Sequence, residues 1–230
     1  ASEIKAIVKH EFVRAEINWN GVYTNFLFQT TLATETCFQH IFSFEPGAFM
    51  TVDLNDRTFT TEKFWSLPLK VNESITEEEA IKKVDTLLSK SISEQLYADV
   101  PVTVMMSGGI DSTLIASKSK PFNEDITAYT ISYQFSEEEV KNASLAAKHF
   151  ELIHHVEKVS DKEILEQLKE NIQHFEEPYS SLEVLMNAAK YAHENGCKVV
   201  LSGNGADELF GGYSHTCLLY TSPSPRDAQL

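Results

Sequence analysis

Six of the nine glycines stand in two clusters, Gly108-Gly109 and then Gly203, Gly205, Gly211 and Gly212, and each cluster follows a short apolar run of strand character. The first reads Val102-Thr-Val-Met-Met-Ser-Gly-Gly-Ile-Asp-Ser112 and continues into Leu114, Ile115 and Ala116 at helical spacing. Glycine admits positive φ and close backbone approach, so consecutive N–H groups of such a loop can face one anion, and the following helix adds its positive end. Ser107 and Ser112 supply hydroxyls. Asp111 is the odd member, because a carboxylate beside a phosphate repels it unless a divalent cation lies between them. The segment therefore reads as a nucleotide-phosphate loop with a metal-bridging aspartate. It is neither a Walker loop, which needs four residues between its glycines and a following lysine, nor a GxGxxG fingerprint. Ser-Gly-Gly alone is equally well an ordinary strand-to-helix turn; the full SGGxDS after an apolar strand favours function.

The elements that must position this loop are legible from residue 76 onward. Four S/T-x-x-E capping boxes, Thr76/Glu79, Ser136/Glu139, Ser160/Glu163 and Ser180/Glu183, open four apolar-periodic stretches and predict helices. Between them, Val102 to Met106, Ile126 to Tyr133, Leu152 to Val159 and Lys198 to Leu201 are β-rich. Strands alternating with helices predict a doubly wound parallel α/β sheet whose ligands bind at the carboxyl ends of its strands. Before residue 70 the chain is rich in Phe and Thr. Gly47 to Asp53, an Asn55-Asp56 turn and Thr58 to Trp65 predict a β-hairpin, with short helices at Tyr23 to Phe28 and Glu35 to Phe42, and a linker at Pro68 to Ser74.

Composition narrows the function. The formal charge of −15, with no basic stripe, disfavours nucleic acid and anionic membrane surfaces as partners, and no apolar run is long enough to span a bilayer. Any phosphate must be held by backbone N–H groups and a cation. Cys37, Cys197 and Cys217 are too widely spaced for a zinc site and read as reduced thiols of a cytoplasmic protein. The start at Ala1 shows no signal peptide and reads as internal to a longer chain.

SGGIDS at 107 to 112 resembles the pyrophosphate loop of the N-type ATP pyrophosphatases, and Val199-Val-Leu-Ser-Gly-Asn-Gly-Ala-Asp-Glu-Leu-Phe-Gly-Gly-Tyr213 is similar to the second signature of the asparagine synthase (glutamine-hydrolysing) family. The first motif is shared by several synthetases; the second is longer and more specific. Residues 1 to 6 and 46 to 65 look like the end of that family's N-terminal nucleophile glutaminase domain. The resemblance implies a β-rich glutaminase remnant at 1–70 and an incomplete ATP-pyrophosphatase synthetase domain at 71–216; the tail at 217–230, with two X-Pro breaks and no apolar period, reads as disordered, either a non-native read-through stretch or a natural flexible terminus. It implies that aspartate or a similar carboxylate is adenylated by ATP with Mg²⁺, then amidated by glutamine-derived ammonia; a homodimer of the full-length protein is compatible with it. Carried over residue by residue, the ATP-binding set is Met105, Ser107, Gly108, Gly109, Asp111, Ser112, Ile131, Ser202 and Gly203. Asp111 and Asp207 are the metal ligands, and Asn204 and Asp207 are the catalytic pair. Asp207 is equally suited to capping a helix near Glu208, and both roles can hold together.

Three departures qualify the resemblance. The family's N-terminal cysteine nucleophile would precede residue 1, Asn204 stands where the family usually has an acid, and the motif similarity ends at Tyr213. The chain by itself is therefore expected to bind ATP weakly without turnover. His154 and His155 are assigned no catalytic role, and Glu176-Glu177-Pro178 reads as a solvated loop before it reads as a group orienting ammonia or substrate.

Overall fold

The computed structural model describes residues 1–68, 70, 72–133, 137–177 and 182–213, with the side chain of Leu182 left aside. The Ser136 and Ser180 capping positions, Pro178, Cys217 and the tail lie outside the described residues. The chain divides into two compact units, Ala1–Thr76 with Gln167–Glu183, and Glu77–Glu166 with Val184–Leu230.

In the second unit the stretches behind the four capping boxes are helices, α3 (Glu77–Gln95), α5 (Glu137–His149), the start of α6 (Asp161–Phe175) and most of α7 (Leu182–Glu194), and a further helix, α4 (Ile110–Ser119), follows the first glycine cluster. The capping box before α6 is reciprocal. Glu163 Oε2 accepts the Ser160 N–H at 2.8 Å and the Ser160 hydroxyl at 2.6 Å, while the Glu163 N–H donates back to Ser160 Oγ at 3.3 Å. Strands β3 (Val102–Met105), β4 (Thr127–Ser132), β5 (Ile153–Lys158) and β6 (Val199–Leu201) form one parallel sheet in the order β5-β4-β3-β6. The doubly wound parallel α/β sheet expected from the sequence is present.

The order of strands decides where a ligand would bind. From β3 the chain steps outward to β4 and β5, then returns to place β6 on the other side of β3. With right-handed crossovers, the helices of the outward steps and the helix of the return must lie on opposite faces. Val102, Val104, Met106 and Ala128 accordingly meet Ala116 of α4 and Ala143 and Ala147 of α5, whereas Tyr129, whose side chain alternates to the other face, meets Tyr191 and Ala192 of α7 and Cys197. The switch point lies between β3 and β6, and both glycine clusters begin at its carboxyl edge. Helix α3 joins α4 partly through the ion pair of Asp85 with Lys118, whose Nζ also meets Ser89 Oγ at 3.1 Å.

The first unit holds α1 (Ile4–Ile7), α2 (Trp19–Phe28) and the hairpin β1 (Ala48–Asp53) with β2 (Thr58–Lys63). The expected helix at Glu35 to Phe42 is not formed. Its backbone is taken by distant partners: Cys37 O accepts the Asn18 N–H, and the Gln39 N–H donates to Glu16 O. The Thr36 hydroxyl donates to Ile41 O at 2.8 Å and accepts the Phe38 N–H, a local bonding that competes with helix. The Glu176-Glu177 pair is not solvated. Glu176 accepts the N–H groups of Ile4 and Lys5 at 2.6 and 2.5 Å, and Glu177 accepts that of Cys37 at 3.2 Å. Burial and the Glu177 carboxylate raise the Cys37 pKa, which keeps it a thiol; Cys37 and Cys197 are both free and buried. Among the described residues no helix is long and apolar enough to cross a membrane.

The Ser160 bonds hold the Glu163 pKa below its ordinary value. A carboxyl depressed on folding stabilises the fold above its unfolded pKa, and the contribution disappears as pH falls through the folded value. NMR titration of Glu163 should show that depressed midpoint, and Ser160→Ala should move it back toward the ordinary glutamate value while the first turn of α6 frays.

Candidate active site

The first loop begins where the sheet ladder stops. The Met106 N–H makes the last bond of β3, to Tyr129 O at 2.8 Å, and Ser107 follows. Gly108 then takes φ +84, and Gly109, in extended conformation, is the N-cap of α4 without any side-chain capping bond. The first N–H groups of that helix consequently have neither an intrahelical nor a side-chain partner from the cap. Ser112 closes the loop from within the helix: its Oγ accepts the Ser107 N–H at 3.1 Å, meets Ser107 Oγ at 3.1 Å and reaches Gly109 O at 3.3 Å.

The second loop leaves β6 after Leu201. Gly205, at φ +92, is the N-cap of α8 (Ala206–Phe210), and Gly211, at φ +70, ends it with an N–H bond to Asp207 O. Asp207 thus lies in the first turn of α8 and is not its cap, which corrects the capping alternative for this residue. Its Oδ1 lies where a side chain on Gly212 would have to go. Glu208 has a structural part in the motif. The N–H groups at the start of α8, its own first, and the Tyr213 hydroxyl at 2.9 Å hold its carboxyl below the ordinary range.

The two loops meet. A Cβ on Gly203 would stand 3.0 Å from Asp111 Cβ and from the Ser112 backbone nitrogen. Around this approach lies a cavity of about 160 Å³ lined by Met105, Ser107, Gly109, Asp111, Ser112, Gly203, Asn204 and Asp207. That is well below the roughly 300–1,000 Å³ of pockets that enclose a whole drug-sized ligand, and it suits a phosphate or pyrophosphate group. Eight of the site residues expected from the sequence share this cavity. Gly108 does not; it turns onto α5, where a Cβ would lie 2.6 Å from Ala143 N and Glu139 O. Ile131, in β4 beside Glu157, and Ser202, just past β6, also do not line it. Thr130, not singled out as a site residue, reaches the Met106 carbonyl at the start of the loop by a hydrogen bond, and His154, likewise not singled out, bonds Thr130.

Residues 83–228 match the family model for asparagine synthase. The chain belongs to the asparagine synthase family. It is 31% identical, over 86% of its own length and 32% of the relative's, to glutamine-hydrolyzing asparagine synthetase 1 of Bacillus subtilis (strain 168). Glutamine-hydrolyzing asparagine synthetase 2 of the same organism is 29% identical over 97% of the chain and 32% of the relative. The chain thus spans about a third of the length of these asparagine synthetases. Among solved structures, the NMN synthetase of Francisella tularensis is 19% identical over 57% of this chain and 58% of that one, with a TM-score of 0.44.

A magnesium ion can be tested against the donors present. Among the described residues no group of three or more His, Cys, Asp or Glu side chains converges, but Asp111 and Asp207 line one cavity. One or two carboxylates completed by phosphate oxygens and water is the usual way Mg²⁺ is held beside a nucleotide, so the pair fits.

Gly108 and Gly109 separate the loop's structural need from its openness. Gly108→Ala meets both a positive φ and the α5 backbone, and should destabilise the fold by about 2 kcal/mol or more in urea unfolding. Gly109→Ala, whose Cβ would meet only Ser107 Oγ at 3.4 Å, should cost less than about 1 kcal/mol.

Proposed function

We propose that this chain carries the adenylating site of an ATP-dependent amide-forming ligase. The observation that carries the proposal is the convergence of two glycine loops from adjacent strands, with Asp111, Asp207 and Asn204, on one phosphate-sized cavity in a chain of this family. Residues 1–70 are then the end of a glutaminase domain and 71–216 the synthetase domain. N–H groups at the start of α4, without a side-chain cap among the described residues, hold the departing pyrophosphate portion of ATP, and the helix's positive end favours its charge. A substrate carboxylate oxygen attacks the α-phosphorus, and the bond from that phosphorus to the bridging oxygen breaks, releasing pyrophosphate. Ammonia then attacks the acyl carbon, loses a proton, and AMP leaves with the phosphate-bound oxygen. Asp111 and Asp207 would hold Mg²⁺, which supplies charge neutralisation at the phosphate oxygens. The protein's own share is position and preset dipoles.

The names of the relatives support aspartate as the carboxylate and glutamine as the ammonia source. Asn204 favours a second reading, amidation of another carboxylate, because an amide cannot accept a proton where the family usually has an acid. ATP–pyrophosphate exchange by the full-length gene product against a panel of carboxylates decides between them. Aspartate-dependent exchange is expected; exchange with another acid alone would establish the second reading. Mg·ATP binding without exchange would leave a non-catalytic nucleotide-binding protein.

Two substitutions test the assigned roles. Asp111→Asn should raise the Kd of Mg·ATP about tenfold while metal-free ATP changes by less than about twofold, since it removes the charge and leaves the N–H cradle. Equal loss for both forms would refute the metal bridge. Asn204→Glu should raise asparagine formation on the order of tenfold if proton acceptance at this position limits amide transfer. An unchanged rate beside vigorous wild-type activity would show that it does not.

A further inference from the structure

The peptide joining Met106 to Ser107 is held on both sides. Its carbonyl accepts the Thr130 hydroxyl at 2.5 Å, and its N–H donates to Ser112 Oγ at 3.1 Å. Met106 and Thr130 are 0% and 2% exposed, so water is in no position to replace the first of these bonds. A hydroxyl has one proton. With it given to Met106, Thr130 Oγ1 can only accept from its other neighbour, His154 Nε2, at 2.8 Å. Nε2 therefore carries hydrogen. Burial, with His155 alongside, lowers the His154 pKa and keeps the ring neutral at pH 7. A directed chain results: His154 Nε2–H to Thr130 Oγ1–H to Met106 C=O, and through the same peptide plane Ser107 N–H to Ser112 Oγ. It runs from β5 across β4 to the loop at the end of β3.

The chain stands where ordinary sheet bonding ends. Strand β3 pairs with β4 as far as Met105 and Tyr129, and the Met106 N–H adds one more bond to Tyr129 O. Beyond that point the backbone must leave the sheet at a defined tilt, with Thr130 holding the carbonyl of its next peptide and Ser112 the N–H. Rotation of this one peptide would move the Ser107 N–H off Ser112, and with it the hydroxyl network that closes the loop.

We propose that His154 is a positioning residue, acting through Thr130 to set the tilt of the Met106–Ser107 peptide and thereby the placement of the phosphate loop. Its consequence for nucleotides rests on the function proposed above; its geometry does not. Four single variants of the full-length protein and one double variant test it: His154→Leu and Thr130→Val remove the donors, and His154→Gln and Thr130→Ser keep them. His154→Leu and Thr130→Val should each raise the Kd of Mg·ATP about tenfold and speed amide exchange at Ser107 about tenfold in nucleotide-free protein, with exchange at Val104 in the same sheet little changed. His154→Gln and Thr130→Ser should stay within about threefold of wild type in both measurements. Because His154 acts only through Thr130, the double variant His154→Leu/Thr130→Val should bind no more weakly than Thr130→Val alone. The proposal is overturned if His154→Leu behaves as wild type, if His154→Gln loses as much as His154→Leu, if the two losses add, or if Val104 loses protection equally. Should wild-type protein bind no Mg·ATP, the nucleotide reading falls, while Ser107 exchange still decides the relay.

Discussion

At Gly203 the loop after β6 lies so close to the start of α4 that an added Cβ would stand 3.0 Å from Asp111 Cβ and Ser112 N, and the rest of the site depends on that approach. It is possible only because β6 pairs directly with β3, so that the loops at their carboxyl ends emerge side by side. It also needs a residue without a side chain, since neither a helix's first turn nor its backbone nitrogen can give way. The approach gathers Asp111 and Asp207 at one cavity although they are far apart in sequence. Separating the loops by the width of a methyl group would open the cavity without removing any polar group.

Charge imposes the second condition. The chain has a formal charge of −15, and among the described residues the lining of the cavity includes two aspartates and neither lysine nor arginine. An anion there is opposed by the general field and by its nearest side chains. What favours it is backbone: the uncapped start of α4, reached through a Gly108 that only a residue tolerant of positive φ can occupy. The two carboxylates make sense beside a phosphate when a cation arrives with it, which is the physical ground on which they are proposed to hold magnesium.

The parts of the site that were legible in the sequence are those made by short-range chemistry. SGGIDS and SGNGADELFGGY each follow a strand end and encode glycine turns and a helix start within a dozen residues, and the four sheet strands fall within a residue of where their apolar runs place them. The unread parts are made by distant partners. Residues 35–42 have helical spacing, but Glu16 and Asn18 take their backbone bonds. Glu176 looks like a loop acid until Ile4 and Lys5 are brought to it. His154 belongs to a strand by its neighbours in sequence, and only the pairing of β4 with β5 sets its ring against Thr130.

These two classes of interaction meet in Ser112. Its hydroxyl already accepts the Ser107 N–H and touches Ser107 Oγ and Gly109 O, so the loop has its curvature without a nucleotide. A loop that had to be ordered by its ligand would lose backbone entropy at each residue on binding. Here that cost has been met in folding, by Ser112 from above, by the α5 backbone against Gly108, and by Thr130 beneath Met106. Ser112 is then chiefly a brace for the loop, and the N–H groups at the start of α4, without a side-chain cap among the described residues, are the donors placed to face a phosphate.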